Sequence, residues 1–128
     1  MIFILDTYIW VENIIGSKKG ARLQELFDNP DNKLVTMECC IAELRGYCLK
    51  NNFDFDVLFN GIRKNSLILP VLREHWIKAA KIKHNLRKKI KNFGLIDSIL
   101  IAKQEELNCK IVTGDYHFKN LKNIIFVD

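Results

Sequence analysis

Four acidic residues stand where a folded chain can use them. Asp6 follows the apolar run Ile2–Leu5, Asp97 opens the apolar segment Asp97–Leu107, and Asp115 follows Lys110–Val112 across Thr113-Gly114. Glu43 is out of place on its own segment. Its i±3 and i±4 neighbours on a helix would be Cys39, Cys40, Gly46 and Tyr47, none of them charged, so its carboxylate needs a partner elsewhere. Taken singly, each acid has an ordinary explanation: Asp6 and Asp97 suit helix caps, Asp115 suits a Gly-Asp turn, and Glu43 can be satisfied by backbone donors or a distant Lys. Taken together at one edge of a sheet, four carboxylates repel one another strongly unless they share a divalent cation. The chemistry is then that of a hard cation among oxygen ligands, which aligns water and neutralises charge at a phosphate ester.

The elements that would bring these acids together alternate along the chain. Short apolar runs predict strands at Ile2–Leu5, Lys33–Thr36, Ser66–Val71, Lys110–Val112 and Ile124–Val127. Between them, apolar residues on a helical period predict helices over Tyr8–Ile15, Lys19–Asp28, Met37–Lys50 and Arg73–Lys91, with Asp54 as an N-cap for the segment after it. The long Arg73–Lys91 helix would turn Trp76, Ala79, Ala80, Ile82 and Leu86 to the core. Asn29-Pro30-Asp31-Asn32 is a turn, and Asn108 stops the helix that Asp97 opens. Phe53, Phe55 and Phe59 are packing residues, within the chain or against a partner. Strands alternating with helices imply a single α/β domain with a mostly parallel sheet covered on both faces. In such a sheet Asp6 and Asp115 lie at the carboxyl edge, where these folds keep their ligands.

Composition narrows the class further. The 128 residues, 48% hydrophobic, suffice for one domain with a core. The apolar MIFIL start is broken at once by Asp6 and has no basic residue before it, which predicts neither a signal peptide nor a membrane span and points to a cytoplasmic protein. Cys39, Cys40, Cys48 and Cys109 show no CxxC spacing and are expected to be reduced, small core residues. The net charge is +5, yet the stretch from Arg73 to Lys91 alone holds eight Lys or Arg against one Glu. A charge run of this kind is usually a solvated face. Beside an acidic metal site it could instead serve a polyanionic substrate that the acids alone would repel, with Arg87, Lys88, Lys89 and Lys91 as the candidate contacts.

The ordered set Asp6-Thr7 after the first strand, Glu43 in the helix after the second, Gly94-x-x-Asp97 opening a helix with Ile101-Ala102, and Thr113-x-Asp115-x-x-Phe118 after the fourth resembles the PIN-domain ribonucleases. It is most similar to the VapC-type toxins of type II toxin–antitoxin pairs, and the resemblance covers essentially the whole chain, 1–128, as one PIN-like domain. The resemblance implies a five-stranded sheet in the order 3-2-1-4-5. It implies that Asp6, Glu43, Asp97 and Asp115 bind one or two Mg²⁺ or Mn²⁺ ions and carry catalysis, with the hydroxyls of Thr7, Ser98 and Thr113 beside them. It further implies hydrolysis of RNA to a 5′-phosphate and a 3′-hydroxyl, a cognate antitoxin and a homodimer. The pattern is departed from in three places: no full second acid stands beside Asp97, and neither the Phe-rich 53–59 segment nor the basic 73–91 segment has a fixed counterpart.

Two other readings use the same residues. A haloacid-dehalogenase-type phosphatase also starts from a strand-terminal Asp but needs a second Asp two residues on, where this chain has Tyr8. A non-catalytic PIN-like module that binds RNA or assembles other proteins would not require all four acids. None of His75, His84 and His117 is needed by the metal chemistry, and each is expected to be structural or exposed.

Overall fold

In the computed structural model, which describes residues 1–128, β1 (Ile2–Leu5) lies at the centre of a five-stranded sheet ordered β3-β2-β1-β4-β5. β2 (Lys33–Met37), β3 (Leu67–Leu69), β4 (Lys110–Thr113) and β5 (Ile124–Phe126) complete it, and every pairing is parallel. Each crossover carries helix. These are α1 (Thr7–Ile14), α2 (Lys18–Asp28), α3 (Glu38–Lys50), α4 (Phe55–Asn65), α5 (Arg73–Leu86) and α6 (Leu95–Leu107), with a single 3₁₀ turn at Tyr116–Phe118.

The strands are mostly apolar because successive side chains enter opposite layers and both layers are covered, with Lys33 and Lys110 at strand starts and Thr36 and Thr113 as the polar exceptions. Phe3, Leu5, Leu34 and Val112 pack with Ile9, Trp10, Leu44 and Ile62. Ile4, Val35, Met37 and Ile111 pack with Ala79, Phe93, Ile99, Leu100 and Phe118. Two of these residues tie the core to the acidic edge. Phe93 and Phe118 are fully buried and meet edge to face at 5.4 Å. Each contributes about 1.5–3 kcal/mol by burial, and together they fix the segment leading to Asp97 against the one leaving Asp115.

Local chemistry explains the boundaries. Asp54 caps α4 by accepting from the Asp56 and Val57 backbone N–H groups, as its position predicts. Asn108 ends α6 in the left-handed conformation, φ 49°, which Asn tolerates better than most residues. Gly114 is required by contact: a Cβ there would sit 2.4 Å from Cε1 of Tyr8 and 2.9 Å from the Val127 carbonyl oxygen. All four cysteines are free thiols, with Cys40, Cys48 and Cys109 buried. No helix is long and apolar enough to cross a membrane.

Three expectations need correction. The third strand is shorter than Ser66–Val71, because Ser66 turns its hydroxyl to Thr36 and to the Ile62 carbonyl. α5 ends at Leu86 rather than Lys91, so Arg87, Lys88, Lys89 and Lys91 lie on a turn. A continued helix would stack the like charges of Lys83, Arg87 and Lys91 at i, i+4 spacing. After the turn, Asn92 reverses the chain at φ 64° and Phe93 enters the core. Finally, the core side of α5 keeps Ala79, Ile82 and Leu86 as expected but adds buried His75, while Ala80 is exposed and Trp76 is 41% exposed. His75 earns the inside position with two bonds, Nδ1 accepting from the Leu72 N–H at 2.9 Å and Nε2 lying 3.0 Å from Glu106.

Candidate metal centre

Asp6 leaves β1 at the carboxyl edge, where its N–H still bonds to the Val112 carbonyl of β4 at 3.1 Å. The next residue of β4 is Thr113, and its hydroxyl donates to Asp6 Oδ2 at 2.6 Å. Thr113 Oγ1 also accepts from the Asp115 N–H at 3.0 Å, so one hydroxyl joins the ends of two adjacent strands. Asp6 is only 4% exposed. Although it occupies the N-cap position of α1, its side chain makes no cap bond.

Glu43 reaches the same edge from α3 and accepts from Thr7 Oγ1 at 2.7 Å. Asp97 is the third residue of α6, not its first, and Oδ2 accepts from the Gly94 N–H at 3.2 Å, which caps the helix from within. Asp115 caps the 3₁₀ turn by accepting from the His117 N–H at 2.9 Å. Ser98 does not stand as a free hydroxyl beside these acids: it is fully buried and donates to the Gly94 carbonyl at 2.8 Å. Of the basic residues, Arg87 folds back so that Nε donates to the Phe93 carbonyl at 2.7 Å. Lys88, Lys89 and Lys91 are exposed on the turn.

The electrostatics of the edge are those of negative charge without compensation. Burial lifts the Asp6 carboxyl to about 7 from an ordinary 3.8; the Thr113 hydrogen bond opposes the rise, and the charges of Asp97, Glu43 and Asp115 add to it. Glu43 and Asp97 are raised as well, each chiefly by burial, with neighbouring carboxylates adding to the effect. No Lys or Arg forms a salt bridge with any of the four; the single cation-capable partner is His117 at Asp115.

Asp6 is buried, Asp97 and Asp115 are half-buried and Glu43 is exposed; four oxygen acids that repel one another suit a divalent ion by charge and donor type. No three acidic, imidazole or thiol groups stand close enough together to hold an ion among them. The oxygen donors are of the type Mg²⁺ takes, and that ion needs only one or two protein carboxylates when waters fill its other positions.

Two contacts at this edge were not legible in the sequence. His117 Nδ1 lies 2.7 Å from Asp115 Oδ1; its i+2 spacing across a tight turn was the available signal. Glu38, at the start of α3, accepts from the Val71 N–H at 2.8 Å and holds the exit of β3. That bond spans 33 positions and has no local signature.

The sequence model of the PIN domain matches residues 3–124. The chain belongs to the PIN-domain family. Among solved structures, this PIN domain is similar to VapBC2 from Rickettsia felis, bound to a DNA fragment from its promoter, at 20% identity and a TM-score of 0.74 over 98% of this chain and 97% of that one. It is similar to VapC20 of Mycobacterium tuberculosis, a sarcin–ricin loop cleaving toxin, at 15% identity and a TM-score of 0.75 over 96% of both chains. VapBC-1 from nontypeable Haemophilus influenzae shares 20% identity at a TM-score of 0.70, over 100% of this chain and 98% of that one. At these identities the likeness is one of fold. No curated protein matches this PIN domain.

Proposed function

We propose that this PIN domain is a Mg²⁺- or Mn²⁺-dependent endoribonuclease, acting in the cytoplasm as the toxin of a type II toxin–antitoxin pair. The observation that carries the reading is the carboxyl edge: Asp6, Glu43 and Asp97 are all raised by burial, and none has a Lys or Arg partner. A non-catalytic RNA-binding module would have no use for that unfavourable arrangement, whose cost a divalent ion offsets.

Asp6, Glu43, Asp97 and Asp115 would hold one or two ions. Thr113 orients Asp6 and Thr7 orients Glu43, each by donating a hydroxyl hydrogen to a carboxylate oxygen. Gly94 and His117 do the same for Asp97 and Asp115 through backbone N–H groups. When bound, the ion supplies an activated water and charge neutralisation at a phosphodiester, giving a 5′-phosphate and a 3′-hydroxyl. No side chain of the edge need act as nucleophile. Lys88, Lys89 and Lys91 lie on the turn that leads to Gly94 and Asp97, and would contact the RNA backbone.

Membership of the PIN family and the fold shared with VapC20 and the VapBC complexes support the reading as a toxin with an antitoxin partner, and a homodimer is part of the same proposal. The test is cleavage of structured and unstructured RNAs with Mg²⁺ or Mn²⁺, with and without chelator. Cleavage that appears only with metal supports the reading, and undiminished cleavage in excess EDTA overturns it.

A further inference from the structure

Asp115 and His117 are joined twice through a single oxygen. The His117 backbone N–H donates to Asp115 Oδ1 at 2.9 Å, and the His117 ring Nδ1 lies 2.7 Å from that same atom. An ionised carboxylate only accepts, so Nδ1 carries the hydrogen and Nε2 takes no part in the contact. Oδ2 of Asp115 receives no hydrogen bond from the chain. The backbone bond alone is enough to cap the 3₁₀ turn. The imidazole is therefore surplus to the cap, and at 40% and 29% side-chain exposure the pair contributes little to stability.

What the second donor adds is orientation. One hydrogen bond leaves a carboxylate free to rotate about Cβ–Cγ, whereas two converging on Oδ1 set its plane and leave Oδ2 as the free acceptor. The constraint extends inward, because the Asp115 N–H is held by Thr113 Oγ1, which in turn holds Asp6. Hydrogen bonds of this type to a ligating carboxylate are what tune a metal site from outside its ligand set.

We propose that His117 is a positioning residue, whose Nδ1–H fixes the Asp115 carboxylate so that Oδ2 is the oxygen offered to a divalent cation. The inference rests on the reading of the acidic edge as a metal site. It distinguishes the two ring nitrogens, and substitution can test that distinction. Asn places an amide donor where Nδ1 stands, Gln extends its amide toward the position of Nε2, and Ala removes both.

The experiment is calorimetric titration of Mn²⁺ into the metal-free wild type and the His117→Asn, His117→Gln and His117→Ala variants, with thermal midpoints in EDTA measured alongside. Ala and Gln should weaken Mn²⁺ binding by about 10–100-fold, Asn should restore most of the affinity, and the four metal-free midpoints should coincide. Equal affinities in all four proteins, or Asn no better than Gln, would overturn the positioning role while leaving the metal site standing. A midpoint lost in every variant would make His117 a structural residue and overturn the proposal as well. A wild type that binds no Mn²⁺ overturns this inference and the nuclease reading together.

Discussion

Thr113 donates its hydroxyl hydrogen to Asp6 across 107 positions of sequence, at 2.6 Å, and that bond depends on the parallel pairing of β1 with β4. Leu5 stands opposite Val112 in the register, so the residues that follow them leave the sheet side by side. The same oxygen of Thr113 accepts from the Asp115 N–H, which makes this side chain the joint between two acids.

Replacing Thr113 therefore separates two effects. Thr113→Val keeps the shape but leaves a buried carboxylate and a backbone N–H without their partner, at a cost of roughly 1–3 kcal/mol for each unsatisfied group. Thr113→Ser retains the hydroxyl and should lose far less. Denaturant unfolding of the three proteins measures the difference, and equal midpoints for Val and Ser would show that the hydroxyl does not hold the edge together.

The pH dependence of the metal-free protein has a definite sign. Asp6 titrates near 7 in the folded chain against an ordinary 3.8, so between these values the folded state binds more protons than the unfolded one. Stability from this group is greatest below about pH 4 and is lost as pH rises through about 7. Roughly three pH units at about 1.4 kcal/mol each set a ceiling near 4 kcal/mol. In EDTA the thermal midpoint should fall over this window, and Asp6→Asn or saturating Mg²⁺ should flatten the fall. A wild-type midpoint that rises from pH 5 to 7 in EDTA, with no such flattening, would refute the account of Asp6.

Much of this arrangement was readable before folding was considered. Apolar runs bounded by turn residues specify a parallel sheet, and Asp6 and Asp115 follow two such runs directly. Asn108 announced the end of α6 through its tolerance of positive φ. What could not be read depends on contacts distant in sequence. α5 ends at Leu86, short of the basic run, and its buried face includes His75 because Leu72 and Glu106 satisfy both ring nitrogens. Ser98 resembles a site hydroxyl in sequence, yet it serves the Gly94 carbonyl one turn back.

Asp97 is the acid at which capping and catalysis separate most clearly. In Asp97→Asn, at the third position of α6, the side-chain oxygen can still accept from the Gly94 N–H. The lost interaction with the helix dipole is roughly 0.3–1 kcal/mol, offset by removing one of several repelling charges. The fold should persist, with a metal-free midpoint equal to or above that of wild type, while RNA cleavage in Mg²⁺ falls by orders of magnitude. Full activity in this variant would reduce Asp97 to a helix cap.

The basic turn gives a last prediction, in which neighbouring cations behave differently. Lys88, Lys89 and Lys91 are exposed, and none forms a salt bridge. Arg87 is engaged with the Phe93 carbonyl, directly before Gly94 and α6. Changing the three lysines to Gln should leave the thermal midpoint within experimental error and weaken RNA binding. It should also flatten the dependence of log affinity on log salt by about 0.7 per lost contact on single strands and about 0.9 on duplex. Arg87→Gln should do the reverse: lower stability by about 0.5–1.5 kcal/mol through the lost hydrogen bond, with a smaller change in slope. Salt titrations of RNA binding and thermal melts of both variants decide the matter. An unchanged slope in the triple lysine variant would return this turn to an ordinary solvated surface, whatever becomes of the metal site.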